Sequence, residues 1–354
     1  MRTILSLTLV LLLLAGCQNR AKKSGSSESS SQELTAAGAT FPLPFYNMVF
    51  KNYTDKTGVQ VTYGGVGSGG GIRSLKDQIV DFGGTDAFLS DDQQQEMPAS
   101  VLHIPTCIGA VVIAYNLPGV EELKLSNSLL AKIFLGEITR WNDPLLRQDN
   151  PGLSLPDQEI TVVHRSDGSG TTHIFSDYMS KISTKWGSEV GTGKSLKWPT
   201  GMGAKGNPGV AGTISQTPGT IGYIGSEFAF AQKIQTARVQ NSAGEYILPD
   251  LSSISAAAQG DLPEDTRVMI TNSPDPKAYP ISGFTWIIFY REQAYKERNR
   301  EQALETMKLL SWLVSEEAQA EAAKVHYSPL PEDARIKAKA VLSKVTWQGE
   351  ALLP

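Results

Sequence analysis

Three short turns built from glycine and hydroxyl residues constrain this chain more than any other feature. Gly38-Ala39-Thr40-Phe41-Pro42 precedes Phe45, Met48 and Val49, an apolar stripe at helical spacing. Gly65-Val66-Gly67-Ser68-Gly69-Gly70-Gly71 follows the alternating segment VQVTY and precedes Ile72, Leu75 and Ile79, again at helical spacing. Gly168-Ser169-Gly170-Thr171 follows the apolar ITVV and precedes Ile174, Phe175, Tyr178, Met179 and Ile182. Thr40 reads as an N-cap, and Pro42 suits a first helical turn. Strands that turn sharply into helices predict an α/β fold with mostly parallel sheets, and in such sheets ligands collect at the carboxyl ends of strands. Residues 108–114 extend the pattern as a strand buried on both faces, 129–134 as a helix, and 295–325 as a helix-rich, charged stretch.

Each helix start presents amides without intrahelical partners and the positive end of a dipole, so each turn is a candidate anion site. Glycine lets the backbone approach a ligand closely, and Ser or Thr adds short donors. Arg165, two residues before Asp167, lies between strand and third turn; an Arg–Asp pair there would hold a guanidinium fork fixed for a tetrahedral oxyanion. Asp86, in VDFGGTDAFLS, has two readings. It is a structural hydrogen-bond partner, or it accepts a hydrogen bond from a ligand that still carries a proton. Phosphate near neutral pH keeps a proton and sulfate keeps none, so one such carboxylate could tell them apart.

The chain opens MRTILSLTLVLLLLAGCQ, in which residues 4–14 are apolar but shorter than the roughly 20 residues a bilayer span needs. This reads as a secretory signal over residues 1–16, and Leu14-Ala15-Gly16-Cys17 has the form of a bacterial lipobox with Cys17 lipidated. Residues 17–32, nearly all serine from 24 to 31, read as a flexible tether. One thiol then remains, Cys107, which excludes an internal disulfide and reads as a small buried hydrophobe. The four histidines are scattered, no metal-ligand spacing occurs, and no cofactor is called for. A net charge of −4 without a basic tract argues against nucleic acid, and an anion would be held by local dipoles. The length beyond the tether exceeds a comfortable single core and predicts two lobes.

At these same residues the chain resembles the high-affinity phosphate-binding proteins of bacterial phosphate ABC transporters. AGATFPLPFY, YGGVGSGGG, VDFGGTDAFLS, HRSDGSGTTHIF, VGTGKSLKWPTGMGAKGN, PGTIGYI and YPISGFTWII occur in the family's order across nearly all of the mature chain. The resemblance implies a two-lobed periplasmic-binding-protein fold of type II that closes on one dehydrated phosphate. It implies ligand contacts from Thr40, Phe41, Ser68 and Asp86 in one lobe and from Arg165, Ser169, Gly170 and Thr171 in the other. Asp167 takes the place of the acid that pairs with the arginine, and Gly67 and Gly69 support the second turn. The family often has serine where this chain has Gly69, and frequently serine at Thr85, so one hydroxyl is lost and one kept. Lobe I is expected over 33–106 and 283–354 and lobe II over 107–282, with crossings near 104–107 and 280–283. Hinge closure, delivery to permease subunits, and a monomer lipid-anchored in the periplasm or at the envelope surface complete the expectation.

Rival readings have distinct marks. Gly65-x-Gly67-x-x-Gly70 with Asp86 downstream fits a dinucleotide fingerprint, but leaves two turns and Arg165 unexplained in an exported chain. A serine hydrolase would need a nucleophile elbow that Ser169 lacks, and no motif ties a histidine to a serine. The same fold binding sulfate or molybdate is the nearer rival, with Asp86 as the discriminating residue.

Overall fold

The computed structural model describes residues 33–353; the signal, the tether and Cys17 lie outside the described residues. Nine strands make the main sheet: β1 (Glu33–Gly38), β2 (Gln60–Gly65), β3 (Phe82–Thr85), β4 (Val101–Tyr115), β5 (Thr161–Arg165), β6 (Met202–Ala204), β7 (Thr220–Gly225), β8 (Gln235–Thr236) and β9 (Ser282–Tyr290). Their order is β2-β1-β3-β9-β4-β7-β5-β6, with β8 also paired to β4. The principal helices are α1 (Leu43–Thr57), α2 (Ser68–Lys76), α3 (Gly170–Ile182), α4 (Gly206–Gln216), α5 (Arg300–Leu313) and α6 (Glu332–Leu342). Among the described residues, no helix is long and apolar enough to cross a membrane.

The sheet is mixed rather than mostly parallel. β1 pairs in parallel with β2 and β3, and β5 with β6 and β7. The centre is antiparallel: β9 with β3 and β4, and β4 with β7 and β8. The reason lies in β4, which along 101–110 pairs with β9 and along 111–115 with β7. One long strand serves two half-sheets, and a strand joining them that way meets antiparallel neighbours. Continuous apolar runs allow this, because β9 is buried at every position and β4 at nearly every one.

Parallel pairing on each side gathers five carboxyl strand ends. Gly38 ends β1 in register with Gly65, which ends β2, and β3 ends at Thr85, one residue past Gly38's partner Gly84; Arg165 ends β5 beside Ala204, which ends β6. Glycines make the close packing possible there. An added Cβ on Gly71 would lie 2.5 Å from the Gly38 Cα and 2.7 Å from the Ala37 carbonyl, so α2 rests directly on the strand. Large side chains fill the rest: Phe45, Tyr46, Trp141, Trp186 and Trp286 are fully buried. Cys107 is buried and free, as expected of a small hydrophobe.

Candidate functional site

The three turns converge, and every expected side chain among them is buried. Thr40, Ser68, Asp86, Arg165, Ser169 and Thr171 each expose 4% or less. The contacts join the second turn both to Asp86, 18 residues on, and to the third turn, about 100 residues away. Ser68 Oγ accepts from the Gly170 amide at 3.0 Å and from the Asp86 amide at 3.2 Å. The Gly69 amide donates to the Gly168 carbonyl at 2.8 Å. That amide is therefore engaged by the opposite turn. Gly67, at φ +86°, has room for no side chain, because a Cβ would meet the Asp167 carboxylate.

Local structure explains how each side chain is aimed. Ser169 caps α3, its hydroxyl accepting from the Thr172 amide at 3.0 Å. Thr40 does not cap α1; Pro42 occupies that position, and no side-chain cap bond forms there. Its hydroxyl accepts instead from the Asn207 backbone amide and side-chain amide, each at 3.1 Å. Phe41 is fully buried, packed edge-on against Tyr327, whose hydroxyl donates to the Phe41 carbonyl.

Arg165 is clamped as the sequence spacing suggests. Its Nε and Nη2 donate to the two Asp167 oxygens at 2.7 and 2.5 Å, and Nη1 donates to Thr171 Oγ1 at 3.3 Å. Burial pushes Asp167 up, but the hydrogen bonds and charge of Arg165 and the Gly206 amide outweigh it and hold the carboxyl below its usual range. Tyr223 donates or accepts at Thr172 Oγ1 (2.6 Å) and accepts from the Arg165 amide (3.1 Å). Tyr223 is itself stacked on Phe175 and Trp198. Those aromatics, with His164 stacked on Trp198 at 4.5 Å, are packing behind the arginine strand.

Asp86 is the second acid here beside the arginine-bound Asp167, and burial pushes its carboxyl up to about 7 against the pull of Thr285, Arg165, Ser68 and Lys194. Thr285 Oγ1 donates to Asp86 Oδ1 at 2.8 Å. A register shift between Thr285 and Trp286 lets β9 present that hydroxyl to the site. Lys194 supplies a second cation nearby; burial lowers it to about 8, and Asp86 draws it back upward. Among the described residues no group of three or more His, Cys, Asp or Glu side chains could hold a metal.

Sequence reasoning missed Asn207, Thr285, Lys194 and Tyr327. Asn207 and Lys194 lie inside the segment VGTGKSLKWPTGMGAKGN, and Gly206-Asn207 opens α4, a fourth glycine turn at a helix start. That fourth turn was the available signal. Thr285 sits in an apolar strand and gives none.

Known proteins resemble the chain over most of its length. The family model for the PBP superfamily domain matches residues 24–317. The phosphate-binding protein PstS of Xylella fastidiosa is 40% identical over 309 residues, 86% of this chain and 83% of that protein. The phosphate-binding protein PstS of Haemophilus influenzae is 39% identical over 312 residues, 86% and 91% of the two chains. The solved structure of PfluDING, a high-affinity periplasmic phosphate-binding protein bound with phosphate, matches with a TM-score of 0.69 at 22% identity, over 87% of this chain and 93% of that one. At that identity the likeness is one of fold.

Proposed function

The chain belongs to the PBP superfamily and, within it, to the PstS phosphate-binding proteins, and from that premise we propose how its own residues hold the ligand. It is a phosphate-binding solute-binding protein of an ABC transporter with a two-lobed α/β fold. The reading assigns one phosphate to the place where the turns meet. Thr40, Phe41, Ser68 and Asp86 contact it from one lobe, and Arg165, Ser169, Gly170 and Thr171 from the other. Asp167 holds the arginine, and Gly67 and Gly69 keep the second turn close. The observation that carries this is the buried carboxyl of Asp86, which accepts from the Thr285 and Ser68 hydroxyls and lies within the field of the clamped Arg165 guanidinium. Such a setting suits an oxyanion, and the acceptor suits one that brings a proton.

The lobes in this reading are 33–106 with 283–354, and 107–282. The change of partner along β4 and the return of the chain at β9 support that division. The same reading places a lipid on Cys17, residues 17–32 as tether, and a monomer held at the outer face of a membrane, from which the closed form meets the permease.

Titration calorimetry tests the ligand. Phosphate binds one to one, and a hundredfold excess of sulfate or molybdate fails to displace it. Equal binding of sulfate would overturn the role given to Asp86. A glycine tests closure. An alanine Cβ at Gly170 would sit 2.5 Å from Ser68 Oγ, 2.6 Å from Asp86 Cβ and 2.7 Å from the Asp86 nitrogen. Gly170→Ala is expected to keep its melting temperature within a few degrees, lose more than tenfold in phosphate affinity, and show no compaction by small-angle scattering when phosphate is added. Compaction equal to that of the parent would overturn closure through this contact.

A further inference from the structure

The hydroxyls of this site have a fixed polarity, and its source is a residue outside the expected contact set. Asn207 is fully buried at the start of α4. Its Oδ1 accepts from the Gly225 amide at 3.1 Å, and because a backbone amide only donates, this fixes which end of the side chain is NH2. The two Nδ2 protons go to Thr40 Oγ1 and Thr171 Oγ1, both at 3.1 Å. Thr40 Oγ1 also accepts from the Asn207 backbone amide at 3.1 Å, and Thr171 Oγ1 from Arg165 Nη1 at 3.3 Å. A hydroxyl accepts through two lone pairs and donates through one proton. In both threonines the lone pairs are taken, so each proton is left for a third group.

We propose that Asn207 is a positioning residue that forces Thr40 and Thr171 to act as donors only, and so dictates which way round a protonated oxyanion sits. The proposal rests on the phosphate reading. A phosphate oxygen that carries hydrogen finds no acceptor at Thr40 or Thr171 and is driven to Asp86, while bare oxygens face the two threonines. Ser68 is polarised the same way: its lone pairs are filled by the Asp86 and Gly170 amides and its proton points at Asp86 Oδ2, 3.5 Å away, so it too acts only as a donor. The Asn207–Thr40 bonds also span 167 residues of chain, so the polarity of Thr40 is set only when the first and fourth turns meet.

The test is a mutant cycle read by calorimetry at pH 8 with inorganic phosphate. Asn207→Ala is expected to weaken binding at least tenfold. Asn207→Asp, which turns both hydroxyls away from the ligand by accepting their protons, is expected to weaken it further. In a Thr40→Ala/Thr171→Ala background, adding Asn207→Ala should change affinity less than threefold, because the residue acts through those hydroxyls. A residue that merely props up the fold would cost as much in that background as in the parent, and that result overturns the proposal. So does an Asn207→Ala protein that binds like the parent. Asn207→Ser, which keeps the backbone amide and one short donor, replaces the alanine variant if the latter does not fold, and is held to the same cycle. A parent protein that ignores phosphate overturns the functional reading itself, and this proposal with it.

Discussion

Asp86→Asn is expected to make the ligand-free protein more stable above pH 7 while collapsing its preference for phosphate over sulfate. The stability effect follows from burial. The Asp86 carboxyl ionises near 3.8 in an unfolded chain but holds its proton up to about 7 in the fold. Between those values the folded state binds more protons than the unfolded state, so stability falls as pH rises from about 4 to about 7 and stays reduced above that. At ~1.4 kcal/mol per pH unit, the interval caps the cost at ~4 kcal/mol. Asparagine carries no charge and escapes it. Melting curves of parent and variant should nearly coincide at pH 4 and separate at pH 8, with the variant higher. A gap independent of pH would refute the assignment. Selectivity moves the other way. In the parent, sulfate faces a carboxylate to which it can offer no proton; in the variant, it faces an amide that donates. Removing a buried mismatch of about 1–3 kcal/mol should narrow the phosphate-to-sulfate ratio by on the order of ten- to a hundredfold.

The larger loss is expected at Arg165. Its side chain is 1% exposed and its partner Asp167 13%. Arg165→Ala leaves the Asp167 carboxylate with the Gly206 amide but no cation. Breaking one side of a buried pair costs about 3–5 kcal/mol, and denaturant titration should show a loss of that order. Arg165→Lys separates charge from geometry. A lysine keeps the cation but cannot hold both Asp167 oxygens and reach Thr171 with a third nitrogen. Phosphate affinity in the lysine variant is expected to fall at least a hundredfold; retention within fivefold would show that charge alone suffices and that the fixed fork is dispensable.

How much of this was legible in the chain depended on range. Turns joining a strand to a helix are local, so the α/β class, the three glycine turns and the Arg165–Asp167 clamp could be read from spacing, while the meeting of those turns could not. Strand direction could not either. Residues 108–114 are apolar whichever way their neighbours run, and nothing local says that β4 divides itself between two half-sheets. Thr40 resembled a cap because a threonine before a helix usually is one, yet Asn207, 167 residues away, takes its hydroxyl. That the Gly69 amide goes to the Gly168 carbonyl, 99 residues on, has no local sign either. Thr285 was hidden for the same reason: a hydroxyl inside an apolar strand has no signature until the fold shows which acid it faces.

The spine shared by the half-sheets has a kinetic consequence. β4 and β9 run side by side across the middle of the molecule, so the turns on either side are carried as two stiff sets rather than as independent fingers. If the proposed phosphate sits between these sets, its release is expected to be one concerted lift of a whole set and not a loss oxygen by oxygen, with a rate governed by the protein's flexure.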